Sequence, residues 1–175
     1  MSGELEIHES VQADAAAIES LYPKAFPDED LLPLVRDLLQ DAATAVSLVG
    51  VIDSQIVGHA IFTKCGVMGS SVKAALLGPL AVAPAWQRQG IGSAIVRAGL
   101  QRLKGEGVAL LCVLGDPQYY GRLGFLPDAL IDPPFPLPVE WDGAWQSQYL
   151  DDTTEPCTGQ LAVPAQWLQP TLWAP

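Results

Sequence analysis

The chain has 175 residues, a length typical of one globular domain, and 49% of them are hydrophobic, with a mean hydropathy of +0.23. This composition excludes an intrinsically disordered chain. The formal net charge of −11 disfavours nucleic acid as a partner, because most of the surface would repel a phosphate backbone. We therefore expect a single domain over residues 1–175.

The apolar segments predict neither a membrane span nor a secretory signal. The best candidate span, Ala74 to Trp86, is short and is interrupted by Gly78, Pro79 and Pro84. The first ten residues lack the basic start and apolar run of a signal peptide. A cytoplasmic protein without a membrane partner is the expectation.

The three cysteines predict neither a disulfide framework nor a metal site. Cys65, Cys112 and Cys157 are odd in number and far apart in the sequence, and only His8 and His59 could join them as soft ligands. We expect free thiols and no bound metal.

Charge is distributed unevenly along the chain. The segment Ser54–Gly105, called here the acid-free segment, contains no Asp or Glu. It holds six of the nine basic residues: Lys64, Lys73, Arg88, Arg97, Arg102 and Lys104. An acidic protein with one cationic segment is expected to bind an anionic ligand there, although clustering on a solvated helix face would give the same pattern.

The first half of the chain predicts three strands and two helices. Alternating or β-rich runs predict the strands, and Asp14 is a suitable helix cap. The turn residues Asp53 and Ser54 predict a hairpin between the second and third strands. The predicted strands are Glu4–Glu9, Ala45–Ile52 and Gln55–Thr63, and the predicted helices run from Asp14 to near Pro23 and over Asp30–Asp41.

The second half predicts strand–helix–strand order. Lys73–Ala83 reads as a strand with a bend at Gly78-Pro79, because proline cannot donate to a sheet ladder. The remaining predicted elements are a helix over Gly90–Lys104, a buried strand Val108–Leu114, a short helix through Tyr119, Tyr120 and Leu123, and strands Trp145–Leu150 and Gly159–Val163. The fold class is therefore α/β or α+β with a mixed sheet.

The turn between the Lys73–Ala83 strand and the next helix has the properties of a phosphate-binding loop. Gly90 and Gly92 let backbone N–H groups approach a bulky anion, and the helix N-terminus adds unpaired N–H groups. Arg88 adds a positive charge. A P-loop is disfavoured because no Lys-Ser or Lys-Thr follows, and a dinucleotide fingerprint because Ile95 replaces the third glycine.

Two motifs resemble the GCN5-related N-acetyltransferase (GNAT) superfamily. Gln87, Gly90 and Gly92 match its [QR]-x-x-G-x-[GA] loop, and Tyr120–Phe125 matches its aromatic block before a Gly-Phe pair. The longer string LGDPQYYGRLGF is similar to a subgroup of small bacterial predicted acetyltransferases. The resemblance implies the acyl-CoA N-acyltransferase fold, with a mixed, mostly antiparallel sheet of about six to seven strands splayed at its centre and about four helices.

The same resemblance implies acetyl-CoA as co-substrate, bound in the cleft where two central strands diverge. In this family the pantetheine arm pairs with the first splayed strand, and the pyrophosphate binds to the loop that opens the helix. The cofactor-binding residues carried over to this sequence are Leu80, Ala81, Val82, Gln87, Arg88, Gln89, Gly90, Ile91, Gly92, Ser93 and Tyr120.

The resemblance further implies direct attack of an amine on the thioester in a ternary complex. The backbone N–H near Val82 would polarise the carbonyl, and Tyr120 would protonate the departing thiolate, with Tyr119 as the alternative acid. The general base stays open between Asp116, His59 and water, and Asp116 is also a plausible helix cap.

The acceptor is expected to be a primary amine, either a small molecule or a protein amino group. The C-terminal aromatics Trp141, Trp145, Trp167 and Trp173 could line its pocket, but closure of the core is the favoured interpretation. A non-catalytic acyl-CoA-binding or sensing module is the alternative function. Family members are often dimers, so the oligomeric state is open between a monomer and a homodimer.

Overall fold

The computed structural model describes residues 3–175, which form two compact units. The first unit contains the described part of Met1–Phe62 together with Gly78–Gly99. The second contains Thr63–Leu77 and Leu100–Pro175. Each unit is thus built from two separate stretches of the chain.

The first unit begins with a strand, two helices and a hairpin. Its elements are β1 (Glu6–Glu9), α1 (Ala15–Ala25), α2 (Leu32–Leu39), β2 (Ala45–Ile52), the start of β3 (Gln55–Val67), the end of β4 (Lys73–Val82) and the start of α3 (Ile91–Gly105). Strands β1 and β2 pair antiparallel, from Glu6 opposite Val51 to Glu9 opposite Leu48. The hairpin expected at Asp53-Ser54 is confirmed, because both residues adopt the left-handed φ values, 49° and 64°, of a tight two-residue turn.

The second unit completes β3, β4 and α3 and adds the C-terminal elements. These are β5 (Leu110–Leu114), α4 (Pro117–Gly121), β6 (Leu126–Pro127), β7 (Ile131–Asp132), β8 (Trp145–Tyr149) and β9 (Gly159–Ala162). Strand β4 pairs parallel with β5, whereas β8 pairs antiparallel with β5 and β6. Strand β9 pairs antiparallel with β3 and parallel with β7.

These elements confirm the expected fold class, which is a mixed α/β fold with an open, mostly antiparallel sheet. Residues 3–175 contain four α-helices and nine strands, seven of them on the main path of the sheet. Helix α3 is the crossover that allows β4 and β5 to run parallel. Their register joins Ala74–Leu77 to Leu110–Val113, and β4 then continues to Val82.

Several predicted boundaries are wrong. Helix α1 does not end at Pro23 but continues to Ala25, since a proline in the last turn removes only its own N–H, and the Phe26 N–H still reaches the Tyr22 carbonyl at 2.8 Å. Helix α2 and strand β5 are shorter than predicted, and β3 extends to Val67. The two-residue strands β6 and β7 were not predicted, because two residues carry no periodicity.

The aromatic residues near the C-terminus are core residues of the second unit. Trp145, Trp167 and Trp173 are each less than 9% exposed, and the Trp173 ring centroid lies 5.7 Å from that of Trp145 and 6.0 Å from that of Trp167. The favoured interpretation as core is therefore confirmed for these three tryptophans, whereas Trp141 is half-buried. None of the helices in residues 3–175 is long and apolar enough to cross a membrane.

Candidate active site

The loop after β4 is fixed to the first unit by its own backbone. The Ala83 N–H donates to the Val57 carbonyl at 2.9 Å, which holds the end of β4 against β3. A 3₁₀ turn, Pro84–Trp86, follows at once. The Gln87 side-chain amide donates back to the Val82 carbonyl at 3.0 Å, so this side chain closes the loop on the strand that precedes it.

The next residues lead into the start of α3, where the first backbone N–H groups have no acceptor within the helix. Arg88 and Gly90 both have left-handed φ values, 63° and 81°, and this reversal turns the chain into the helix. The Ala94 N–H donates to the Gly90 carbonyl at 3.0 Å. The N–H groups of the preceding helical residues, Ile91 to Ser93, therefore lie at the positive end of the helix dipole, where an anion is stabilised.

Only part of the positive charge in the acid-free segment belongs to this loop. Glu106 lies just beyond the segment and accepts hydrogen bonds from Lys64 at 2.7 Å and from Arg102 at 3.0 Å. These bonds, led by that of Lys64, lower the pKa of the Glu106 carboxyl. Arg102 and Lys104 also lie in the last turn of α3, where cations complement the dipole. Arg88 is the base within the loop itself.

In the second unit, Tyr120 lies on α4 with its ring against the end of β5. A Cβ atom placed on Gly115 would lie 2.4 Å from Cε2 of Tyr120. The ring therefore occupies the space that the side chain of any residue other than glycine would fill at position 115. The Tyr119 and Phe125 rings contact it edge-on, with centroids at 4.9 and 5.7 Å. Burial, followed by the neighbouring Tyr119 and Asp116 charges, raises the pKa of Tyr120 well above its usual range, which keeps the phenol protonated.

The two residues considered as alternatives beside Tyr120 have other partners. Asp116 is the N-cap of α4, and its carboxylate accepts from the Gln118 N–H at 2.9 Å. The Arg122 guanidinium carbon lies 5.7 Å from the centroid of the Tyr119 ring, a cation–π distance. Asp116 therefore has the capping role that the sequence offered as its alternative.

His59 is a buried residue whose hydrogen bonds are all made. It is 0% exposed, its Nδ1 lies 2.6 Å from the Tyr22 hydroxyl, and its Nε2 lies 2.8 Å from Ser47 Oγ. Burial lowers the pKa of the imidazole to about 3, so it is neutral at physiological pH. The Ser10 hydroxyl extends the chain by donating to Ser47 at 2.7 Å. This arrangement favours a structural role over that of a general base.

The first unit has two cavities that are not lined by residues 87–92, called here the glycine loop. One, of about 510 Å³, is lined by α1, α2 and the facing ends of β1 and β2, including Ser10 and Ser47. The other, of about 390 Å³, follows the α1–α2 connection from Tyr22 to Leu32. Neither is lined by any residue that the sequence predicted to bind the cofactor.

The cysteines are free thiols, as predicted. Cys112 is buried, and Cys65 and Cys157 are half-buried. Burial raises the pKa of the Cys65 thiol to about 12, which makes its reactive thiolate scarce at neutral pH. Within residues 3–175, no cluster of three or more His, Cys, Asp or Glu side chains is placed to hold a metal ion.

Sequence reasoning missed Gly115, which contacts the Tyr120 ring, and Gln146, which binds the Gly115 carbonyl. Gly115 is the residue against which the Tyr120 ring packs, and its position in the G-D-P string was a visible signal. Gln146 donates to the Gly115 carbonyl at 3.1 Å from the interior of β8. The signal for Gln146 was an amide side chain within a predicted strand, but the sequence does not indicate which carbonyl this amide contacts.

Comparison with known proteins agrees with this fold. The Acetyltransferase (GNAT) family profile matches residues 15–125. The uncharacterized N-acetyltransferase YjhQ of Escherichia coli K12 is 35% identical over 158 residues, which is 86% of each chain. The uncharacterized N-acetyltransferase YhbS of the same strain is 32% identical over 120 residues, covering 68% of this chain and 72% of that protein.

Two solved structures are similar over nearly the whole chain. The structure of YhbS from Escherichia coli in complex with CoA has a TM-score of 0.85 and 28% identity, covering 94% of this chain and 92% of that one. A GNAT family acetyltransferase from Brucella melitensis in complex with acetyl-CoA has a TM-score of 0.76 and 28% identity, covering 94% and 98%. The fold is that of an acyl-CoA N-acyltransferase. The chain belongs to the GNAT acetyltransferase family, and its enzyme class is that of the acyltransferases.

Proposed function

We propose that the protein is an N-acetyltransferase that moves the acetyl group of acetyl-CoA to a primary amine by direct attack in a ternary complex. The observation that carries the proposal is the exposed turn at residues 87–90, with left-handed φ at Arg88 and Gly90, which leads directly into the N-terminus of α3. Family membership supports the reaction class. The acceptor is a small amine or a protein amino group.

In this proposal the diphosphate of acetyl-CoA binds to the loop and the first turn of α3. The backbone N–H groups of residues 88–93 donate to it, and Arg88 adds a charge-assisted contact. Gln87 supports the loop through its bond to the Val82 carbonyl, and the pantetheine arm pairs with Leu80 to Val82. The complexes of related proteins with CoA and acetyl-CoA support this assignment.

The proposed chemistry needs a polarised carbonyl and a proton for the departing thiolate. We assign the first role to the backbone N–H of Val82 and the second to Tyr120. The second assignment rests on the match of Tyr120 to the family's aromatic block, because the raised pKa of Tyr120 keeps the phenol protonated but also makes it a weaker acid than an exposed phenol. Tyr119 is the less favoured acid because its ring contacts Arg122.

Removal of the amine proton is assigned to water. The alternatives have competing roles, because the Asp116 carboxylate caps α4 and both nitrogens of His59 are hydrogen-bonded in the core. The lowered pKa of His59 makes it a weak base. The expected result is that replacing Asp116 by Asn, which keeps a capping oxygen, leaves kcat close to that of the wild type.

The whole chain is proposed to act as one acetyltransferase domain. The family profile over residues 15–125 includes parts of both compact units, which supports this view. The cytoplasmic location stays a prediction, and so does the choice between a monomer and a homodimer.

The experiment is to mix the purified protein with acetyl-CoA and a panel of primary amines and to measure the free thiol released. An enzyme releases thiol with at least one amine, and Tyr120→Phe lowers turnover while CoA affinity is retained. A sensing module would bind CoA but release no thiol with any amine, in the wild type or in the variant. That second result would refute the proposed function.

A further inference from the structure

The side chain of Gln146 is buried with one polar atom unsatisfied. Gln146 is 1% exposed, and as the second residue of β8 it pairs with Val113 of β5. Its amide nitrogen donates to the carbonyls of Gly115 at 3.1 Å and of Ala144 at 3.4 Å, which uses both hydrogens. Its amide oxygen, Oε1, is buried with no hydrogen-bond partner among the described residues.

This arrangement costs stability. A buried carbonyl oxygen without a donor is unfavourable, because it has lost its hydrogen bonds to water and gained none in the fold. Exchanging the amide nitrogen and oxygen does not help, because the oxygen would then face two carbonyl oxygens. An apolar side chain of similar size would avoid the unsatisfied atom. The amide is therefore best explained by what its two hydrogens hold in place.

The two amide hydrogens of Gln146 bind the backbone against which the Tyr120 ring packs. The Gly115 N–H also donates directly to the Ala144 carbonyl, at 3.0 Å. The Gln146 amide bridges the same two residues, because it donates to both of their carbonyls. The Tyr120 ring lies on Gly115, at the place where a Cβ would be. Any shift of Gly115 therefore moves the surface that supports this ring.

We propose that Gln146 is a positioning residue for Tyr120, acting through the Gly115 carbonyl to set where the phenol hydroxyl lies. The role rests on the proposed function of Tyr120 as the acid that protonates the CoA thiolate. Gln146 itself makes no contact with substrate or cofactor in this scheme.

The test compares Gln146→Leu with Gln148→Leu, a matched control on the same strand whose amide donates instead to the Leu123 carbonyl at 2.9 Å. We expect Q146L to lower kcat about tenfold or more while the thermal midpoint stays within a few degrees of the wild type, because loss of the unsatisfied atom offsets the lost bonds. Unchanged kcat in a folded Q146L protein would overturn the proposal.

Coupling to Tyr120→Phe distinguishes positioning from a general structural defect. If Gln146 acts through the hydroxyl, the double variant Q146L/Y120F has the kcat of Y120F alone, whereas Q148L lowers kcat by the same factor in either background. Equal factors for Q146L in the two backgrounds would refute the proposal.

A crystal structure of Q146L gives a measurement that does not depend on turnover. The proposal predicts that the Tyr120 ring shifts from its contact with Gly115, and an unmoved ring would overturn it. If the wild type transfers no acetyl group to any amine, the proposed function fails, while this structural comparison still decides whether Gln146 positions Tyr120.

Discussion

Replacing Gly115 by Ala tests most sharply whether the position of Tyr120 matters. The new Cβ would lie 2.4 Å from Cε2 and 3.0 Å from Cδ2 of the ring, and ordinary contact begins at 3.4 Å. The ring edge must therefore move by about 1 Å or the backbone must shift. Overpacking of this kind costs about 1–3 kcal/mol of folding free energy.

The same displacement is expected to slow catalysis more than it weakens the fold. A misplacement of about 1 Å in a reacting group can reduce the rate by roughly a hundredfold. We expect kcat for thiol release from acetyl-CoA to fall by about tenfold to a hundredfold, with CoA affinity unchanged because the glycine loop is not altered. Steady-state kinetics, calorimetric titration of CoA and urea unfolding measure the three effects separately.

Gly121→Ala is the matched control for this variant. It adds the same methyl group to α4, but no atom lies within 4 Å of the new Cβ. Its kcat and stability are expected to match those of the wild type. A folded G115A protein with wild-type kcat would refute the reasoning, because it would show that turnover does not depend on where the ring lies.

Three further predictions concern the core. The pKa of His59 is lowered from 6.5 to about 3 in the native state. Between these two pH values the unfolded chain therefore binds a proton at His59 and the native state does not. Stability should therefore fall by up to about 1.4 kcal/mol per unit as pH drops below 6.5, and His59→Gln should show a shallower slope in urea unfolding at pH 5 and 7.5. Gly99→Ala places a Cβ 2.0 Å from Cζ of Phe62 and should cost about 1–3 kcal/mol by thermal unfolding, whereas Gly105→Ala, with open space around it, should cost less. Trp173→Ala, at a 2% exposed position, should lose about 3–5 kcal/mol, and a loss below 1 would contradict its core role.

Local patterns were sufficient to predict most elements and the candidate loop. The Asp53-Ser54 pair predicted correctly where β2 ends, because such residues favour a tight hairpin turn, and both have left-handed φ in the structure. The glycine loop was also visible, since its function depends on backbone freedom at adjacent positions such as Gly90. Such features are local, so the sequence carries them directly.

Contacts between distant residues were not predictable in the same way. Gln146 reaches a carbonyl 31 positions earlier, and no periodicity states which polar atoms will meet. The pairing of Lys64 with Glu106, which spans 42 positions, was not predictable for the same reason. The ordinary pKa of a histidine made His59 a candidate base in the sequence. In the structure His59 is hydrogen-bonded to Tyr22 and Ser47, and its burial lowers the pKa too far for that role.

The glycine loop carries the central claim, and CoA affinity tests it most directly. Calorimetric titration of CoA into the wild type and into Gly90→Val/Gly92→Val compares the intact loop with one in which a β-branched residue opposes the 81° φ of position 90. Loss of about two charge-assisted hydrogen bonds, at roughly 1.5–3 kcal/mol each, predicts a Kd raised by about a hundredfold or more. A folded double variant that binds CoA as tightly as the wild type would contradict the account.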